Sequence, residues 1–139
     1  MEQYTLATDT KVFCTIAKSF PEGIQEAFLT LEKMLSKEGR TFYGISYKND
    51  SGVIVYKAAV SEIFSGEAET HGFENFVIKQ GEYLTETIRD WMKHSEKIGE
   101  TFAALLKTPD YDDTYPCVEW YKSDKEVMCM VRIKTGVVA

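Results

Sequence analysis

Cys117-Val118-Glu119-Trp120-Tyr121, then Lys122-Ser123-Asp124-Lys125, then Glu126-Val127-Met128-Cys129-Met130-Val131 is the stretch from which the fold can be read. Two runs rich in β-branched, aromatic and sulfur side chains flank a short polar turn, so the segment is expected to be a β-hairpin. Strand alternation puts Cys117, Glu119 and Tyr121 on one face, and pairing through the turn brings Val127, Cys129 and Val131 to that face. Glu119 is then a carboxylate on a nearly apolar surface.

Upstream, Lys11 to Lys18 reads as a strand ended by Ser19-Phe20-Pro21, and Pro21 suits the first turn of a helix. From Glu22 to Lys37 the residues Ile24, Ala27, Phe28, Leu31, Met34 and Leu35 form one apolar stripe, and Gly39 ends the helix. Thr41 to Lys48 and Val53 to Val60 read as strands joined by Asn49-Asp50-Ser51-Gly52. Ser61 to Glu74 is expected to be a connector. Phe76 to Ile88 reads as one long strand interrupted at Gly81, where a bulge or close backbone approach is expected. Asp90 to Lys107 is the second helix, with the stripe Trp91, Ile98, Phe102, Leu105 and Leu106. Met1 to Thr10 is expected to be a loosely packed arm.

A shift of 74 positions matches the two halves without a gap. Glu22, Ile24, Glu26, Phe28, Leu31 and Lys33 recur as Glu96, Ile98, Glu100, Phe102, Leu105 and Lys107, and Tyr47, Lys48, Asp50 and Val53 recur as Tyr121, Lys122, Asp124 and Val127. These are ten identities in the 32 positions from 22 to 53, spanning helix and hairpin turn alike. The expected fold is therefore a single α+β domain of two pseudo-symmetric β-α-β-β repeats, about 11–60 and 75–134 with a connector at 61–74. Two helices cover an antiparallel sheet, and a ligand groove lies between the halves. The same shift aligns Ile45 with Glu119, so the symmetry is expected to break at one acidic residue.

Composition narrows the function. The chain has 139 residues, 44% hydrophobic and 27% charged, enough for a substantial core. A net charge of −6 with no basic run argues against direct binding to nucleic acid. Three cysteines at no metal-ligand spacing, and no export leader, point to a reducing cytoplasm. No apolar run approaches the roughly 20 residues of a membrane span. There is no glycine-rich phosphate loop, HExxH or CxxC, and His71 and His94 complete no catalytic triad. No metal or cofactor is expected. A carboxylate in an apolar, aromatic cleft calls for a cationic or hydrogen-bonding ligand, so Glu119 is the candidate pocket floor, lined by Tyr47, Tyr83, Trp91, Trp120 and Tyr121.

The Gly81-Glu82-Tyr83 strand segment, Trp91 at the entry to the second helix, and Pro116-Cys117-Val118-Glu119-Trp120-Tyr121 resemble the GyrI-like small-molecule-binding domains. Those are effector-binding domains of AraC-type and MerR-type regulators that also occur as free-standing proteins. The resemblance runs from Lys11 to Lys134. It implies the tandem β-α-β-β fold shared with SOUL haem-binding proteins, and a pocket in which Glu119 meets lipophilic cations, as in multidrug-responsive members. No helix-turn-helix precedes Lys11, so direct transcriptional control by this chain is not implied. The first expectation is a stand-alone effector-binding or sequestering domain. Relatives that hydrolyse cyclopropane-bearing compounds imply an alternative in which Glu119 is the general base and Tyr83 or Tyr121 a proton donor. Gyrase-inhibitory relatives imply a third, a protein-interaction module with an unknown protein partner.

Overall fold

A computed structural model describes residues 1–35 and 39–134. The chain is α+β, with eight antiparallel strands and three α-helices among these residues. In order they are β1 (Glu2–Leu6), β2 (Thr10–Ile16), α1 (Ile24–Met34), β3 (Phe42–Lys48), β4 (Ile54–Ser61), α2 (Glu67–His71), β5 (Glu74–Ile78), β6 (Gly81–Arg89), α3 (Glu96–Leu105), β7 (Cys117–Tyr121) and β8 (Glu126–Arg132), with a 3-10 turn at Trp91–Lys93 before α3. The expected end of the first helix at Lys37 lies outside the described residues. Backbone contacts divide the chain into two compact units: the first is Thr10–Ile78, and the second joins Met1–Asp9 to the chain from Lys79 onward.

In the first unit the strands lie in the order β5-β2-β4-β3. Helix α1 turns its apolar stripe onto β2 and β4, where Ala27 and Leu31 pack with Phe13, Ala58, Val60 and Ala68. Phe28 meets the rings of Phe42 and Tyr56 edge-on, at 6.2 and 6.3 Å. The segment expected to be a featureless connector holds α2. Its Glu67, 1% exposed, receives two hydrogen bonds from the Arg40 guanidinium and one from the Ile63 N–H. That partnership compensates the charge for its burial.

In the second unit the order is β1-β6-β8-β7. Helix α3 packs through Leu105 onto Ile88, Val127, Cys129 and Val131, with Ile98 and Phe102 at the margin. The N-terminal arm is a strand, because Tyr4 and Leu6 align with Tyr83 and Gly81 along β6. The expected long strand from Phe76 to Ile88 is two strands, since β5 pairs with β2 and β6 pairs with β1 and β8. Gly81, at φ 141°, marks the break; a Cβ there would lie 3.0 Å from the Arg132 guanidinium, which is the close approach expected of this glycine.

The hairpins correct the ungapped match. In one, Tyr47 pairs with Val55 and the Asn49 N–H donates to the Val53 carbonyl; in the other, Tyr121 pairs with Val127 and the Lys122 N–H donates to the Glu126 carbonyl. The two turns are equally long and coincide at a shift of 73, although Leu31 and Leu105, both fully buried under their strands, still coincide at 74. One residue of slip reverses every side chain. Ser46 lies across from Tyr56 on the α1 side, whereas Ile45 lies across from Lys57 on the other. Glu119 lies on the helix-covered face of its strand and Ile45 on the uncovered face of its own, so the hairpins do not support the match of Ile45 with Glu119.

Candidate functional site

Glu119 occupies the middle of β7, and strand alternation turns it with Cys117 and Tyr121 toward α3. Its side chain is 7% exposed. The Tyr121 hydroxyl donates to Glu119 Oε1 at 2.6 Å, a charge-assisted bond worth roughly 1.5–3 kcal/mol in a buried setting. The Trp91 ring stands edge-on to Tyr121 with centroids 5.0 Å apart. Asp90 in the left-handed conformation turns the chain into the 3-10 segment, and its N–H donates to the Lys125 carbonyl at 2.6 Å. Trp91 Nε1 donates to the Ser123 carbonyl at 3.3 Å, so the indole is tied to the hairpin turn it covers.

Sulfur completes this wall. Cys129 lies directly across from Glu119, with Glu86 on its other flank in β6, and Cys117 is diagonal to it on the same face. Burial, and then the neighbouring Glu119 charge, pushes the Cys117 thiol up to about 11. The same two causes, in the same order, hold Cys129 still further above the ordinary thiol range. Both are neutral thiols at neutral pH. Tyr111, at the margin of this cluster, is also raised, by burial first and then by Cys117.

The six expected site residues therefore do not form one lining. Glu119, Tyr121 and Trp91 converge. Trp120 lies on the opposite face of β7, edge-on to Tyr4 at 6.0 Å, with the Lys122 ammonium 4.7 Å from its ring centroid. Tyr83 also points away from α3. It is fully buried and donates to the Lys79 carbonyl at 2.6 Å, while burial first, and then the Tyr115 hydroxyl, raises its pKa. Arg132 is on that far face too, where it pairs with Asp112 and donates to the Gln80 carbonyl. Tyr47 belongs to the first unit, half-exposed beneath the Lys57 ammonium at 5.6 Å. The alternation that isolates Trp120 from Glu119 and puts Cys117 and Cys129 on its face was legible in the sequence; the face of Tyr83 depends on the pairing of β6 with β8, and the contact of Tyr111 on packing against the α3 cluster, and these were not.

A concavity of about 400 Å³ lies in the first unit between Ile16–Phe20 and Val53–Tyr56, and no expected site residue lines it. Among the described residues no three His, Cys, Asp or Glu side chains converge to hold a metal ion. No helix among them is long and apolar enough to cross a membrane.

No protein-family model matches this chain, and no curated protein matches it in sequence. Solved structures do resemble it. An integron cassette protein from the mobile metagenome of Vibrio cholerae aligns with a TM-score of 0.69 at 13% identity, over 96% of this chain and 95% of its own. The protein SAV2435, solved bound to tetraphenylphosphonium, aligns with a TM-score of 0.66 at 13% identity, over 96% and 93%. A Staphylococcus aureus MU50 protein, named for a proposed role in bacterial transcription regulation, aligns with a TM-score of 0.56 at 11% identity, over 94% and 97%. At such identities the likeness establishes a shared fold.

Proposed function

We propose that this chain is a GyrI-like small-molecule-binding domain that holds an apolar organic cation against Glu119, with Tyr121 and Trp91 forming the aromatic wall. The observation that carries this reading is a glutamate only 7% exposed on the apolar face beneath α3, oriented by a phenol 2.6 Å away. A buried carboxylate is costly, and a cation with aromatic contacts offsets that cost by charge pairing and by cation–π attraction. The tetraphenylphosphonium bound by SAV2435 is a ligand of this chemistry on the same fold, which supports the reading by analogy. The shared strand order of the two units supports descent from a repeated β-α-β-β element.

Titration with tetraphenylphosphonium tests the proposal. Micromolar binding that Glu119→Gln weakens and Trp91→Ala weakens further is the expected result. Equal affinity in wild type and Glu119→Gln overturns it. The same Tyr121–Glu119 pair is an arrangement for activating a water, so product formation is followed in parallel: loss of turnover with retained binding in Glu119→Gln assigns a hydrolase instead.

A further inference from the structure

We propose that the concavity at the end of β2 is a second binding site, for a planar aromatic carboxylate. The notch arises from unequal strand ends. Pairing of β2 with β4 closes at Ile16 and Lys57, and the Ala17 N–H adds one last bond to the Tyr56 carbonyl at 2.8 Å before the chain turns away through Ser19 and Phe20. Strand β4 begins at Ile54, so its first residues lie past the end of that neighbour. The space so left is about 400 Å³, between Ile16–Phe20 and Val53–Tyr56. Small-molecule sites run from roughly 300 to 1,000 Å³, and an apolar cavity of about 150 Å³ already takes benzene.

The lining specifies the ligand. Ile16, Phe20, Val53 and Ile54 are large apolar side chains left exposed, and all four border this one concavity, where a ring would cover them. The Phe20 and Tyr56 rings, 6.0 Å apart and 31° from parallel, make an aromatic wall for a flat ligand. Two polar groups set the sign of its head group. Val53 turns its carbonyl to the Asn49 N–H on the β3 side and Tyr56 turns its own to Ala17, so alternation aims the Ile54 N–H past the end of β2 into the notch. A carboxylate can accept from it. Lys18 lines the same notch, and its ammonium, 83% exposed, lies 3.3 Å from Glu26, itself 64% exposed; so exposed a pair is weak and yields readily to a ligand carboxylate. An ammonium at the rim, an N–H donor in the wall and rings between them fit an aromatic acid, whereas an organic cation would meet a donor and a like charge.

This site belongs to the first unit and stands apart from the Glu119 reading, so one set of titrations separates the two. Naphthoate, its neutral carboxamide and tetraphenylphosphonium are titrated against isotope-labelled protein, with backbone amide shifts locating each ligand and thermal midpoints checking the fold. Naphthoate is expected to move the amide signals of Ser19, Phe20 and Ile54, and to bind about threefold more tightly than the carboxamide. Lys18→Met is expected to erase that preference, and Phe20→Ala to weaken both naphthyl ligands about tenfold. Both variants are expected to keep their affinity for tetraphenylphosphonium, and Glu119→Gln its affinity for naphthoate. Naphthoate shifts that leave Phe20 and Ile54 unmoved, equal wild-type affinity for acid and carboxamide, or unchanged naphthoate binding in the folded Phe20→Ala protein overturns the proposal; should Phe20→Ala not fold, Lys18→Met decides.

Discussion

Glu119→Gln nearly preserves size and the hydrogen bond from Tyr121 while removing charge. If the carboxylate neutralises an organic cation, the change weakens such ligands by about 2–4 kcal/mol and leaves neutral ones almost unaffected. Thermal stability is expected to hold level or rise, because a buried charge is exchanged for a neutral amide. A fall in the midpoint with unchanged ligand affinity assigns Glu119 to structure. At Gly81 the physics is backbone: φ is 141° and an added Cβ meets the Arg132 guanidinium at 3.0 Å. Gly81→Ala is expected to cost about 1–3 kcal/mol, read as a lower urea midpoint at unchanged slope.

Between elements, the Arg40–Glu67 pair fixes α2 beneath the loop that leaves β4. Arg40 also donates to the Ser61 carbonyl, and its side chain is 7% exposed. Arg40→Ala leaves a buried carboxylate without its cation and is expected to cost about 3–5 kcal/mol, whereas replacing both residues with apolar ones of similar volume costs far less. The Arg40 hydrogen bonds hold the Glu67 carboxyl below the usual range against the opposing effect of burial. Its contribution is thus complete above the unfolded glutamate value of about 4.3 and is lost as pH falls through the lower folded value. Acid titrations of wild type and Glu67→Gln are expected to converge below that window; parallel curves assign the acid sensitivity elsewhere. Strand β1 acts at the same scale. Deleting residues 1–6 uncovers the β6 edge from Gly81 to Thr85 and is expected to lower stability and promote association, measured by thermal melt and light scattering.

For the molecule as a whole, the net charge of −6 sets the long-range field. No sequence-specific duplex DNA binding by this chain is expected at physiological salt, because counterion release needs clustered cations. A nanomolar footprint contradicts this. The same fold persists in proteins only 11–13% identical over more than nine-tenths of their length. Layered helix-on-sheet packing asks for apolar periodicity more than for particular residues.

Periodicity alone determined that there are two main helices, the two hairpins and the face shared by Cys117, Glu119 and Tyr121, since the spacing of apolar residues is a local property of the chain; it placed the start of the second helix at Asp90, whereas Asp90 is left-handed, Trp91–Lys93 is a 3-10 turn and α3 begins at Glu96. It also determined that Leu31 and Leu105 are core residues. Partner choice was not local. Nothing in Phe76 to Ile88 says that its two ends pair in different units, or that Glu2–Leu6 is a strand, because β-pairing is settled by distant segments. The ungapped match misplaced Glu119 for a related reason: identities in a helix tolerate a one-residue slip in the hairpin that follows, and only the ladder reveals which face results. So the sequence by itself named the carboxylate, its phenol and the two thiols on their face, while the tertiary structure decided that Tyr83 faces away from them, because β6 pairs with β8, and that Trp91 stands against the phenol.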